Sequence, residues 1–168
     1  MISKATLNDV SALNILVNSA YRGESSKQGW TTEANILDGI RTSEKELSAI
    51  IRQPENNIFI YCPDDIILGC VLLTQKTDYL YLGMLTVNPK LQNSGIGKRL
   101  MQFAEQWTQQ LQLKSIKMTV IAVRPELIAW YKRQGYADTG KREPFPMDDA
   151  AFGLPRQSLE FIIMQKNL

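Results

Sequence analysis

The segment Leu85-Thr86-Val87-Asn88-Pro89-Lys90-Leu91-Gln92-Asn93-Ser94-Gly95-Ile96-Gly97-Lys98-Arg99-Leu100 carries the most specific chemical pattern in the chain. An apolar alternating run stops at Asn88-Pro89, a short polar loop passes two glycines, and a strongly periodic helix begins. Glycines let the backbone approach a ligand closely. The first N–H groups of a helix lack intrahelical partners and lie at the positive end of its dipole. Together these features predict an anion site, most naturally for a phosphate, with Lys98 and Arg99 adding charge. The nucleoside-triphosphate loop G-x-x-x-x-G-K-[ST] does not fit, because Gln92 stands at its first glycine and Arg99 at its last position. The dinucleotide fingerprint G-x-G-x-x-G does not fit either, because position 100 is leucine.

What the chain lacks narrows the chemistry further. Its 168 residues include no histidine and two cysteines. Ser-His-Asp and Cys-His nucleophilic machinery is therefore excluded, as is a histidine-ligated metal site. No metal is expected. Proton transfer falls to Tyr, Asp, Glu, Lys, Cys, a terminus or water. A net charge of +2 argues against bulk nucleic-acid binding, which needs many cations on phosphates. No run approaches the roughly 18 apolar residues of a membrane span. Met1-Ile2-Ser3-Lys4 does not open an export signal, so a cytoplasmic location is expected, and Cys62 and Cys70 read as reduced, small apolar strand residues.

The elements that must position these residues follow from periodicity. The length fits a single domain over residues 1–168. Residues 1–5 read as a strand. A helix follows from Leu7 to Tyr21, its start marked by the capping-box spacing of Thr6 and Asp9. Residues 22–31 read as a loop. A helix is predicted from Thr32 to Gly39, and another from Ser43 until Gln53-Pro54 stops it. Ile58–Cys62, Ile66–Lys76 and Tyr79–Val87 read as an antiparallel meander. Ile96, Leu100, Phe103, Ala104, Trp107 and Leu111 repeat at helical spacing. A strand around Ile116–Ala122, a helix from Pro125 to Gln134 and strands at Tyr136–Lys141 and Leu159–Gln165 complete an α/β (α+β) domain. The long loop between the last two strands reads as a functional segment.

The pattern Gln92-x-x-Gly95-x-Gly97 after Val87-x-Pro89 resembles motif A of the GNAT N-acetyltransferase superfamily. Arg124-Pro125-Glu126-Leu127-Ile128-Ala129-Trp130-Tyr131-Lys132-Arg133-Gln134-Gly135-Tyr136 resembles its second signature, with Arg124 where the family often has Asn. Two motifs in the family's order, one strand apart, extend the resemblance over nearly the whole chain. Tyr21-Arg22-Gly23-Glu24, Gly29-Trp30-Thr31-Thr32-Glu33-Ala34 and Lys141-Arg142-Glu143-Pro144-Phe145-Pro146 further resemble a bacterial subgroup whose acceptor is unassigned.

The resemblance implies a central mixed, mostly antiparallel sheet, splayed at the strand before the glycine loop and flanked by helices. It implies acetyl-coenzyme A as cosubstrate. Leu85, Thr86 and Val87 would bind the pantetheine arm, and one of their N–H groups would polarise the thioester carbonyl. Gln92, Asn93, Ser94, Gly95, Ile96, Gly97 and Lys98 would wrap the pyrophosphate, and Arg124 would bind the cofactor from the second signature, at the position that in the family contacts the pantetheine arm. Tyr131 would give the leaving thiolate its proton. The base that frees the acceptor amine is expected at Glu33, with Glu24, Glu143 or water as alternatives. Trp30, Tyr21, Tyr81, Arg41, Arg142 and Phe145 would shape the acceptor pocket, and arginines there would suit an acceptor with a carboxylate or phosphate. The acceptor itself would be a primary amine of a small molecule or peptide, with no nucleic acid and no membrane involved, and the chain a monomer or homodimer. Two rival readings stand beside this one: an acyl-CoA-binding sensor without catalysis, and the same fold using another acyl group or acceptor.

Overall fold

Thr6 starts the first helical segment as its spacing to Asp9 predicts. The Asp9 carboxylate accepts the Thr6 N–H at 2.7 Å and the Thr6 hydroxyl accepts from the chain ahead, a reciprocal cap. One tight turn leads into α1 (Val10–Tyr21), which follows β1 (Ile2–Lys4) and buries Leu13, Val17 and Ala20 completely. The computed structural model describes residues 1–146 and 153–168, without the side chain of Glu24.

The region after α1 departs from the sequence reading. A short helix, α2 (Gly23–Ser26), interrupts the predicted loop. The predicted helix from Thr32 to Gly39 does not form. A single turn, with the Ile36 and Leu37 N–H groups both donating to the Glu33 carbonyl, gives way to β2 (Leu37–Asp38). β2 pairs antiparallel with β8 (Leu154–Pro155), and the Arg156 N–H donates to Ile36 O at 2.9 Å. The competing bonds come from more than 100 residues along the chain and outweigh the local helical pattern. β8 also accounts for part of the long loop predicted before the last strand; its residues 147–152 lie outside those described.

Beyond this region the elements form near the expected bounds. Ser43 caps α3 (Glu44–Arg52), its hydroxyl accepting the Glu46 N–H at 3.1 Å. There follow β3 (Asn56–Tyr61), β4 (Gly69–Gln75), β5 (Leu80–Val87), α4 (Ile96–Gln110), β6 (Ser115–Ile121), α5 (Pro125–Arg133), β7 (Ala137–Pro144) and β9 (Glu160–Asn167). Among the described residues the main sheet runs β1-β3-β4-β5-β6-β9-β7, and every pairing is antiparallel except β5 with β6. Among them no helix is long and apolar enough to cross a membrane.

Strand alternation divides the core. Ile58, Ile60, Cys70 and Met84 face α1 and Leu47 of α3, while Phe59, Val71, Leu73, Leu80, Leu82, Ile116 and Met118 face α4 and α5. Truncating a buried leucine such as Leu100 costs about 2–5 kcal/mol. The helix that follows the glycine turn is therefore anchored firmly. Its approach is close: a Cβ on Gly69 would stand 2.9 Å from Ile96 Cγ2 and 2.9 Å from the Thr86 carbonyl oxygen. Cys62 and Cys70 are free thiols, and burial pushes the Cys70 thiol up to about 12.

Candidate active site

β5 leaves its neighbour. It pairs with β6 only at Leu80–Ile116 and Tyr81–Lys117, whereas β6 continues alongside β9 to Ile121. On its other edge a bulge bends it: three steps from Thr86 back to Gly83 match two from Cys70 to Leu72 on β4. Met84 takes up the bend at φ 50°, in the left-handed region where a non-glycine residue costs roughly 1–2 kcal/mol. From Leu82 to Val87 the edge of β5 toward β6 is left open.

The glycine turn closes one end of this opening. Gly95, at φ 86°, is the N-cap of α4 and has no side chain with which to cap it. The N–H groups of Ile96, Gly97 and Lys98 thus begin the helix without a capping partner and can take an external anion. They border a cavity of about 270 Å³. Gln92 and Asn93 belong to its wall, as do Leu85 and Val87 of β5. Trp30, Leu127 and Trp130 form much of its apolar side, with Gln134 beside them. Neither Leu127 nor Gln134 was singled out from the sequence, although α5 spacing puts both beside Tyr131. Trp30, expected in the acceptor pocket, stands here instead, 6.2 Å from Trp130 between ring centroids.

Three residues expected around the cofactor turn their side chains elsewhere. The Thr86 side chain is buried in the sheet and donates to the Met84 carbonyl at 3.0 Å. The Ser94 hydroxyl turns back to the Leu91 carbonyl. Arg124 faces a second cavity. Gln92 does reach the first cavity, but its side-chain amide is already engaged: Oε1 accepts the Trp30 N–H at 2.7 Å and Nε2 donates to Thr31 Oγ1 at 2.6 Å.

The second cavity, of about 1150 Å³, extends over the sheet from β4 to β9. The two cavities share Tyr21, Leu85, Leu127 and Tyr131, so these residues mark their junction. The Tyr21 hydroxyl donates to the Leu85 carbonyl on the open strand, and burial pushes its pKa up to about 12. Tyr131 is also buried; burial first, then neighbouring Tyr21, raises its pKa, so it holds its proton at neutral pH.

Glu33 lies in the wall of the larger cavity with both oxygens engaged. Oε1 pairs with Arg22 and Oε2 with Arg124 at 3.3 Å, all three side chains being 5–10% exposed. Arg41 and Phe145 line the same cavity, as does Tyr81, whose hydroxyl meets Thr119 Oγ1 at 2.8 Å. Arg142 does not. It sits on the exposed strand β7, bidentate on Asp138 at 2.9 and 3.1 Å, because alternation along that edge strand turns it away. Glu143 reaches the larger cavity's rim, and the side chain of Glu24 lies outside those described.

No curated protein sequence matches the chain. Solved structures do. An N-acetyltransferase from Staphylococcus aureus Mu50 superposes with a TM-score of 0.76 at 12% identity, over 99% of this chain and 96% of that one. The ribosomal-protein-S18-alanine N-acetyltransferase of Escherichia coli gives 0.73 at 16% identity, over 99% and 92%. A putative streptothricin acetyltransferase from Bacillus anthracis Ames, solved with acetyl coenzyme A, gives 0.60 at 21% identity, over 71% and 66%. These likenesses establish the fold. The family model for GNAT acetyltransferases matches residues 24–136, from the segment before the meander through both signatures, and the chain belongs to that family.

Proposed function

We propose that the protein transfers the acetyl group of acetyl-CoA directly to a primary amine of a small molecule or peptide, with both substrates bound at once. One observation carries this reading. β5 parts from β6 after two residue pairs, and the cavities on either side of the gap meet at Leu85 and Tyr131. The residues fit the cosubstrate: uncapped amides at Ile96, Gly97 and Lys98 for its pyrophosphate, an open strand edge for its amide-bearing arm, and tryptophans along the apolar wall. Its thioester supplies the activated acyl carbon and the thiolate leaving group.

The chain's own groups do the rest. One N–H group on the open edge of Leu85–Val87 would favour the negative charge that develops on the thioester oxygen, worth about 3–4 kcal/mol for one such donor. Tyr131 Oη holds a proton at the junction and passes it to the departing sulfur. An α-amine, with a pKa near 7.7–8.0, is partly neutral at physiological pH, whereas a lysine amine near 10.4 must lose its proton on binding. Water in the larger cavity accepts that proton. Glu33 is the weaker choice as base, because two arginines already hold its carboxylate.

Two measurements test the reading. Acetyl-CoA at 100 times its dissociation constant should stabilise the protein by about 2.7 kcal/mol, a melting shift of roughly 5–10 °C. Thiol release over an amine panel should then reveal turnover. Tyr131→Phe is expected to lower kcat by about 10²–10⁴-fold with the acetyl-CoA shift retained. Wild-type turnover in that variant removes the acid assignment, and no shift with acetyl-CoA removes the whole reading.

A further inference from the structure

Among the arginines of the larger cavity, Arg41 stands apart. Arg22 and Arg124 share Glu33. Arg41 is half-buried, lies in the same wall, and among the described residues pairs with no carboxylate. Its position is nonetheless fixed. Asn18 Oδ1 accepts the Arg41 N–H at 2.7 Å and the Thr42 N–H at 3.2 Å, while Asn18 Nδ2 donates to the Thr42 carbonyl at 3.0 Å. The guanidinium carbon lies 5.8 Å from the centroid of the Tyr21 ring. The other end of that ring, through its hydroxyl, touches the Leu85 carbonyl where the two cavities meet.

A half-buried guanidinium that pairs with no carboxylate among the described residues is a ready partner for an external oxyanion, because desolvation strengthens the attraction and its planar fork matches the ligand. The field of the cavity adds to this. Lys76, Lys117 and Lys141 line it against Glu55 and Glu143, so among the described residues its wall carries an excess of positive charge. We propose that the acceptor is an amine that also bears an oxyanion, a carboxylate or a phosphate, and that Arg41 binds this group while the amine reaches the thioester at Leu85. The proposal rests on the acetyl-transfer reading above and narrows it to a substrate class. The guanidinium lies over the ring whose hydroxyl meets the open strand, so an acceptor with a short link between amine and oxyanion suits the site.

Matched acceptor pairs test this: amino acids against their amides, and aminoalkyl phosphates against the corresponding amino alcohols. In the wild type, kcat/KM for the anionic member of at least one pair should exceed that for its neutral counterpart by about ten- to a hundred-fold, chiefly through KM, the range for a hydrogen bond to a charged group. Added salt should shrink the ratio. Arg41→Gln should bring it toward one and Arg41→Lys should keep part of it, each variant retaining its melting shift with acetyl-CoA as proof of an intact fold. The responding pair tells carboxylate from phosphate. A wild type that binds acetyl-CoA and acetylates neutral and anionic members equally overturns the Arg41 assignment alone, as does a ratio that survives in Arg41→Gln. A wild type that neither binds acetyl-CoA nor releases thiol overturns the transfer reading with it.

Discussion

Replacing Glu33 by glutamine separates its two conceivable roles. The carboxylate is nine-tenths buried and holds two buried guanidinium groups, Arg22 on Oε1 and Arg124 on Oε2. Glutamine keeps the shape but removes the negative charge and turns one acceptor into a donor that faces an arginine. Two charge-assisted hydrogen bonds at about 1.5–3 kcal/mol each set the scale, and breaking a buried ion pair from one side costs about 3–5 kcal/mol. For a domain of this length that range lowers the melting temperature by roughly 6–20 °C. Adding Arg124→Met to Glu33→Gln should recover part of the loss, since one of the two stranded charges is then gone. The assay is a melting curve for each variant, together with the pH dependence of kcat/KM for whatever activity remains. An anchoring Glu33 leaves the shape of that pH profile as in the wild type. A Glu33→Gln protein that melts within a degree or two of the wild type, yet has lost its turnover about 10²-fold along with the acidic limb of the profile, refutes the anchoring argument and makes Glu33 the base.

Two other perturbations probe the frame around the site. Gly69→Ala puts a methyl group 2.9 Å from both Ile96 Cγ2 and the Thr86 carbonyl, so the first turn of α4 must move off β4; a loss of about 1–3 kcal/mol is expected in denaturant titration, and an unchanged midpoint refutes the close-approach argument. Alkaline pH should destabilise the fold through its buried tyrosines. Below pH 10 folded and unfolded chains both keep the Tyr21 proton and stability is full; above it the unfolded chain ionises first, so stability falls by about 1.4 kcal/mol per pH unit until the folded pKa of about 12, with Tyr131 and Tyr136 acting in the same direction. A denaturation midpoint that stays flat from pH 10 to 12 contradicts this, and tyrosinate absorbance that appears only on unfolding supports it.

The features legible in the sequence were those whose cause is local. Thr6 with Asp9, Ser43 with Glu46, and Gly95 before α4 each act over a few residues, and each stands where spacing put it. The core faces of α1 and α4 were legible for the same reason. What failed was fixed by distant partners. Thr32, Glu33, Ile36 and Leu37 have helical spacing, but β8 claims the backbone of β2 and α1 claims the Glu33 N–H through the Tyr21 carbonyl. Arg124 lies in the second signature as expected, yet its direction depends on Glu33, 91 positions earlier in the chain. Arg142 shows the complementary failure: its neighbourhood was legible, and strand alternation on an exposed edge, with Asp138 four residues away, turned the side chain outward.

Two of the candidate site residues also secure one segment of the chain. Gln92, expected on phosphates, holds the segment between Tyr21 and Asp38 from outside, and Glu33, expected on the acceptor amine, holds it from within. Gln92 ties the glycine loop to Trp30 and Thr31, and Glu33 ties Arg124, at the start of the helix that carries Tyr131, to Arg22. Tyr21 ties the same segment to Leu85. These contacts are polar and buried or part-buried, so each is costly to leave unmade, and together they hold the segment against three separate parts of the sheet-and-helix frame. A segment whose own regular structure is confined to α2 and β2 is thereby tied to the frame. The same contacts join the strand that would bind the thioester, the helix carrying the tyrosine that would supply a proton and the wall that would receive the acceptor, so all three are positioned by one segment.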